Sequence, residues 1–311
     1  MSTAFLFPGQ GSQAVGMGKA LYEAFAVSRA VFDEVDAALG QTLTALMFEG
    51  PSDELMLTAN AQPALMAVSL AALRALESER GLNLARDATF VAGHSLGEYS
   101  ALAAAGALSI TDTARLLRIR GDAMQKAVPV GVGGMAALIG ATKEQAAEVA
   151  AEAAEGEVCE LANDNGGGQV VISGHKSAIE RAIPIAQAKG IRRAMPLPVS
   201  APFHCSLMQP AAEAMAAALA SATIRTPVVP VVANVLAAAI TDPDEIRRHL
   251  VEQVTGSVRW AESMAWLGGK GVTRFVEVGS GKVLSGLVKR IVDGAGTANV
   301  ATPDDVAAYS A

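Results

Sequence analysis

The chain has 311 residues, enough for two domains or for one large domain carrying an insertion. Hydrophobic residues make up 51% and charged residues 18%, which excludes intrinsic disorder and points to a compact protein with a sizeable core. A net charge of −7 with no basic run argues against nucleic acid as a partner. Two cysteines, Cys159 and Cys205, give neither a disulfide framework nor a metal spacing with the four histidines, so the expectation is a metal-free protein of the reducing cytoplasm.

Residues 4–7 are an apolar run with no basic segment and no small-residue cleavage site around it, and read as a buried first strand rather than a signal peptide. Pro8-Gly9-Gln10-Gly11-Ser12 follows as a strand-to-helix turn, and a helical stretch through Leu39 places Leu21, Phe25, Val31, Phe32 and Val35 at apolar positions. Residues 61–79 form a second helix, and residues 88–92 a β-branched strand that runs into Gly93 and another helix. A further helix opens at Thr111-Asp112 with a capping side chain and stops near Val128-Pro129. From Gly131 the texture changes to strand 135–139, helix 143–155, strand 158–162, strand 169–173, helix 177–189 and strand 192–197, a β-α-β-β-α-β order of ferredoxin-like type. Alternating α/β texture returns after Pro198, with helices 206–222, 243–255, 260–268 and 283–293 and strands 228–233 and 274–278. The expected architecture is a discontinuous α/β domain, residues 1–130 and 199–311, with a parallel-type sheet, and an inserted ferredoxin-like domain over 131–198. The longest uncharged stretch, 194–212, is broken by Pro196, Pro198, Pro202 and Pro210, so no membrane span is expected.

Gly93-His94-Ser95-Leu96-Gly97 is a G-x-S-x-G between a strand and a helix. Its glycines permit a sharp turn that lifts the Ser95 hydroxyl clear, and the helix start offers free N–H groups to a developing oxyanion. The bland reading is a helix-capping serine. A serine nucleophile needs a base. His94 is adjacent and points elsewhere, His175 reads as a turn residue, and His249 lies among Arg247, Arg248 and Glu252 as a solvated face. His204 differs, because the proline-bearing segment 200–205 joins the two domains where a cleft is expected. An acid in the hydrolase order, after Ser95 and before His204, is expected to come from the insertion, so a full serine–acid–histidine triad looks improvised here. Arg120 is out of phase with Arg115, lies beside Leu116, Leu117 and Ile119, and reads as an inward guanidinium for an anionic substrate; its bland alternative is a solvated face. Gly9-Gln10-Gly11-Ser12-Gln13-Ala14 matches a dinucleotide fingerprint superficially, but Asp33 and Glu34, at the required distance, fall within a helical stretch. Gly279-Ser280-Gly281-Lys282 lacks the hydroxyl residue and first glycine of a phosphate loop.

These motifs, together with Gln62-Pro63-Ala64, Arg120-Gly121, Gln169-Val170-Val171-Ile172, the 202–205 segment and Glu277-Val278-Gly279, resemble the malonyl-CoA:acyl-carrier-protein transacylases of bacterial type II fatty-acid synthesis over essentially the whole chain. The resemblance implies an α/β-hydrolase-like large domain with a ferredoxin-like insertion. It implies Ser95 as the acylated nucleophile, His204 as its base, Gln253 orienting that histidine through its carbonyl, the N–H groups of Gln10 and Leu96 as the oxyanion hole, and Arg120 holding the malonyl carboxylate. Phe203 would limit substituents on the acyl group. Malonyl-CoA and acyl carrier protein are then the partners, the protein a monomer, and no cofactor is required. Since such a carrier is acidic, Lys289-Arg290 and Arg192-Arg193 are candidate docking pairs, with ordinary solvated faces as the alternative. Where members of the family often carry Asn-Ser-Pro and Gly-Pro-Gly, this chain has Asn165-Gly166-Gly167-Gly168 and Gly279-Ser280-Gly281, which is expected to loosen both loops. Remaining readings are a serine hydrolase or thioesterase, a transacylase of polyketide synthesis or malonate decarboxylation, and a noncatalytic carrier- or dinucleotide-binding module.

Overall fold

Every residue of the first strand, Thr3–Phe7, is buried, as an apolar run at the centre of a parallel sheet covered on both faces requires. The computed structural model describes residues 2–310. Its strands are β1 (Thr3–Phe7), β2 (Phe90–Gly93), β3 (Gly133–Ile139), β4 (Cys159–Asp164), β5 (Gln169–His175), β6 (Arg193–Pro196), β7 (Val231–Ala233), β8 (Ala238–Ile240), β9 (Arg274–Val278) and β10 (Gly296–Val300).

The larger sheet runs β10-β9-β1-β2-β7-β8, parallel throughout except for the antiparallel edge pair β7/β8. Its side chains alternate between two cores. Phe5, Phe7, Val91 and Val276 face the long helix Thr58–Arg80, while Ala4, Leu6, Ala92 and Phe275 pack with Trp260, Met264 and Leu287 from helices Trp260–Gly269 and Val283–Ile291. Helix Thr58–Arg80 is sandwiched between the sheet and helices Ala26–Leu39, Leu96–Ala104 and Ile110–Ala127, which is why its alanine-rich sequence is apolar nearly all round. The chain leaves β1 for β2 on one side and returns through β9 on the other. Phe7 and Gly93 are paired in register, so the loops after β1 and β2 open side by side onto one crevice.

The second sheet is antiparallel, in the order β4-β5-β3-β6. Ala136, Leu138, Val170 and Ile172 pack beneath helices Lys143–Ala154 and Lys176–Ala188. The intervening residues Met135, Ala137 and Val171 face the crevice instead, a direct product of the two-residue period. Backbone bonds from Asp164 N–H to the Val258 carbonyl (3.0 Å) and from Val258 N–H to the Ala162 carbonyl (2.9 Å) tie this sheet to the larger unit.

The structure differs from the sequence reading in several places. The turn after β1 is a loop whose Gly11, Gly16 and Gly18 have positive φ, and helix begins only at Lys19; Phe25, in extended conformation, then divides Lys19–Ala24 from Ala26–Leu39. The context a dinucleotide fingerprint needs is therefore absent. Ser109, not Thr111 or Asp112, caps helix Ile110–Ala127, and Glu34 accepts from the Thr111 N–H and hydroxyl. Strands β8 and β10 and helices Leu43–Glu49, Ser52–Met56, Leu84–Asp87 and Pro303–Ala308 were not expected; all are short. Gly166, Gly167 and Gly168 have φ of 74, 59 and 76°, values closed to proline, and a side chain on Gly167 would lie 2.7 Å from Arg290 Cδ. The loop expected to be loose is thus packed against helix Val283–Ile291.

Candidate active site

Ser95 sits between β2 and helix Leu96–Ala104 with φ 53° and ψ −110°, a strained conformation for a residue with a side chain. The turn closes because its neighbours lack Cβ atoms: one on Gly93 would lie 1.9 Å from the Gly97 carbonyl oxygen, and one on Gly97 2.2 Å from that of Phe7. Asn234 straps the turn, accepting from the Ser95 N–H and donating to the Gly93 carbonyl, both at 2.7 Å. The Gly97 and Glu98 N–H groups bond to the His94 and Ser95 carbonyls. That leaves the N–H groups of Leu96 and Gln10, two residues that line the same cavity, unengaged among the described residues.

The Ser95 hydroxyl donates to His204 Nε2 at 2.8 Å. His204 Nδ1 faces only carbonyl oxygens, Gln253 at 2.9 Å and Gly256 at 3.1 Å, so Nδ1 carries the proton and Nε2 is the free base. Burial, and after it the positive charge of Arg120, pushes the His204 imidazolium down to about 3, so the ring is neutral at neutral pH. Two backbone carbonyls do here what a carboxylate does in a serine–histidine–acid triad, which accounts for the missing acid.

Arg120 is 1% exposed and has no carboxylate within ion-pair distance among the described residues. Nη1 donates to Gln62 Oε1 at 2.8 Å, while Nη2 donates to Gln253 Oε1 at 2.8 Å and to Ser95 Oγ at 3.1 Å. Its guanidinium lies over the Tyr99 ring, 5.6 Å from the centroid, and its Nε has no partner among the described residues. Burial lowers its pKa, opposed by Tyr99 and Glu98. Gln62, Ser95, Leu96, Arg120, Met135, Phe203 and His204 are among the residues around a cavity of about 290 Å³. A second cavity of about 220 Å³, between β5 and helix Val283–Ile291, shares Gln10, His94, Asn163 and Leu197 with the first.

Ser95, His204, Gln253, Gln10, Leu96, Arg120 and Phe203 are therefore brought to one place. Arg192, Arg193, Lys289 and Arg290 are exposed. Arg290 borders Gly167 and Arg192 borders Gly140, whose N–H bonds to the Gly168 carbonyl at 2.7 Å, so the two basic pairs flank a common glycine surface next to the second cavity. His94 turns away from Ser95 and meets Asn165 Oδ1 at 2.9 Å. His249 is a correction: it is buried, bonded to Glu252 and Arg248, because its helix packs that face on helix Gln209–Ser221. His175 ends β5, its Nδ1 accepting from the Val158 N–H. Cys205 is fully buried, donates to the Pro202 carbonyl, and burial pushes its thiol up to about 11. Sequence reasoning missed Asn234, the carboxylate of Glu98 and the amide of Gln62; Gln62 opens a quoted motif and Glu98 directly follows another, whereas nothing around Asn234 signals a role.

Fold and site define an acyltransferase, with a serine hydroxyl bonded to a histidine in its cavity. The chain belongs to the acyl transferase family, its residues 4–302 matching the acyl transferase domain. It is 48% identical over 290 residues to the malonyl CoA-acyl carrier protein transacylase of Escherichia coli (strain K12), covering 93% of each chain. The acyl-carrier-protein-S-malonyltransferase of Bartonella henselae superposes with a TM-score of 0.97 at 56% identity, over 99% of this chain and 98% of that one. A malonyl-transacylase solved in complex with a type II PKS acyl-carrier protein superposes at 0.95 with 42% identity, over 99% and 98% of the two chains.

Proposed function

We propose that the chain transfers a malonyl group from malonyl-CoA to the phosphopantetheine thiol of acyl carrier protein through a malonyl-Ser95 ester. The observation that carries this reading is Arg120: a buried guanidinium with no carboxylate partner among the described residues, 3.1 Å from the Ser95 hydroxyl, which the free carboxylate of a malonyl group would complete. His204 Nε2 takes the Ser95 proton as Oγ attacks the thioester carbonyl, and the oxyanion falls between the Gln10 and Leu96 N–H groups. The carbon–sulfur bond breaks, His204 returns the proton to the departing coenzyme A thiolate, and the carrier thiol repeats the sequence in reverse. Relatives that bear the malonyl-transacylase name, one of them bound to its carrier, support the same donor and acceptor.

The basic pairs Arg192-Arg193 and Lys289-Arg290 beside the second cavity are the proposed landing site for an acidic carrier, with the cavity receiving its thiol arm. The proposed form is a monomer acting in the cytoplasm, the compartment in which its free Cys159 and Cys205 stay reduced. A hydrolase with the same site would lose its acyl group to water. The test is the lifetime of the acyl-enzyme formed from malonyl-CoA, with and without holo carrier. The reading expects an ester that persists alone and discharges onto the carrier thiol; rapid release of free malonate in both cases overturns it.

A further inference from the structure

Glu98 is 2% exposed, carries a carboxyl next to the nucleophile, and has no part in the chemistry above. Among the described residues, both of its hydrogen bonds end on one oxygen. Oε2 accepts from the Asn234 N–H at 3.0 Å and from Gln253 Nε2 at 2.7 Å, and Oε1 accepts from neither. Each of those partners reaches a different part of the site. The Asn234 side chain straps Ser95 by bonding the N–H and carbonyl on either side of the strained turn. Engaging the Ser95 N–H also withholds it from the oxyanion, leaving that task to the Gln10 and Leu96 N–H groups. The Gln253 side chain donates to Glu98 and to the Ser95 carbonyl, and turns its Oε1 toward Arg120 Nη2.

We infer that Glu98 and Asn234 are positioning residues, with Glu98 Oε2 as the common anchor of two arms, one holding the Ser95 turn and the other fixing the Gln253 amide so that its oxygen faces Arg120. The logic is that of donors and acceptors. A buried amide rotated by half a turn would set its NH2 against the Arg120 guanidinium, donor against donor, and its oxygen against Glu98 Oε2, acceptor against acceptor. An acceptor at Oε2 therefore selects one orientation. The negative charge is not what the anchor needs. Burial pushes the Glu98 carboxyl up to about 7, with the Asn234, Gln253 and Arg120 groups opposing, and a proton placed on Oε1 leaves both bonds to Oε2 in place. Tyr99, coupled to both Glu98 and Arg120, stays a neutral phenol because burial raises its pKa.

The inference rests on the malonyl reading only for its second arm, and the test separates the two. Rates of Ser95 labelling by a fluorophosphonate, and single-turnover acylation by malonyl-CoA and acetyl-CoA, are measured for wild type, Asn234→Ala, Glu98→Gln and Glu98→Met. Asn234→Ala loses both strap bonds and should slow labelling and both acylations alike, by about tenfold to a hundredfold, with the malonyl-CoA KM within about twofold of wild type. Glu98→Met should show the same slowing and, because the Gln253 amide is released, a malonyl-to-acetyl ratio lowered by about fivefold or more. Glu98→Gln keeps an oxygen for both donors and should stay within about threefold of wild type in rate and ratio. Asn234→Ala labelling at the wild-type rate overturns the first arm. Glu98→Met with an unchanged ratio overturns the second, and Glu98→Gln as impaired as Glu98→Met overturns the acceptor argument by showing that charge is what matters. If Glu98→Met does not fold, Asn234→Ala decides the first arm and Gln253→Met, which removes the amide outright, decides the second by the same malonyl-to-acetyl ratio. Wild type that is labelled by the phosphonate but inert to malonyl-CoA counts against the malonyl reading alone, since the labelling comparison needs no acyl donor.

Discussion

Replacing Arg120 by alanine should remove malonyl transfer and spare acetyl transfer. The guanidinium is buried and has no carboxylate within ion-pair distance among the described residues, so the substrate carboxylate would be its counter-ion. Truncating one member of a desolvated charge pair costs about 2 to 5 kcal/mol, roughly 30- to several-thousand-fold in kcat/KM. The structure adds a second cost, because the truncation strands the Oε1 atoms of Gln62 and Gln253, and a buried acceptor left without a donor costs about 1 to 3 kcal/mol. Water can enter, since Arg120 lines the cavity, so the stability loss should stay near the lower end for each oxygen. The assay is coenzyme A release in a single turnover with malonyl-CoA and acetyl-CoA, alongside a thermal melt that reads the second cost separately. Equal loss with both donors would refute the reasoning and make Arg120 a structural arginine that holds Gln253 and Ser95.

Phe203 is buried at the cavity wall directly before His204, and Phe203→Ser should relax rejection of a methylmalonyl donor modestly, since one methyl is worth about 1 to 3 kcal/mol; an unchanged malonyl-to-methylmalonyl ratio in kcat/KM removes it from the site. Charge reversal at Lys289 and Arg290 should raise the carrier's KM several-fold and flatten its salt dependence while leaving Ser95 acylation alone, with the same expected at Arg192 and Arg193; carrier kinetics unaltered by both reversals would move docking to apolar contacts. Because His204 is depressed from 6.5 to about 3, its base form persists on acidification, and acylation should show no acid limb near 6.5; a limb there in the pre-steady-state rate contradicts the burial argument. The same depression bears on stability: between 6.5 and about 3 the unfolded chain binds a proton on this ring that the folded protein refuses, so this contribution is complete above 6.5 and is lost as pH falls through that window.

Much of the architecture was legible because burial imposes period and length on it. The β1 run and the β-α-β-β-α-β order from β3 to β6 are set by apolar residues whose spacing follows the layers they enter. Strand β8, three residues at a sheet edge, and β10, with the sequence Gly-Thr-Ala-Asn-Val, carry too few apolar residues to announce themselves. Ser95 was readable through the glycines its turn demands. His249 was misread because Arg247, Arg248 and Glu252 surround it in sequence, while its position on the helix turns it inward with Ile246, Leu250 and Gln253. Asn234 could not be found at all, since its role comes from β7 lying beside β2, a juxtaposition made by the sheet rather than by any local pattern.

The central claim is that Ser95 carries the malonyl group between two thiols. Intact-mass spectrometry after mixing with malonyl-CoA, followed by peptide mapping and then by addition of holo carrier, tests it most directly. The account predicts a single malonyl adduct, mapped to Ser95, absent in Ser95→Ala, and passing to the carrier thiol with none on Cys205, whose buried thiol is held in its protonated form. A malonyl adduct that persists in Ser95→Ala, or that maps to Cys205, would contradict it.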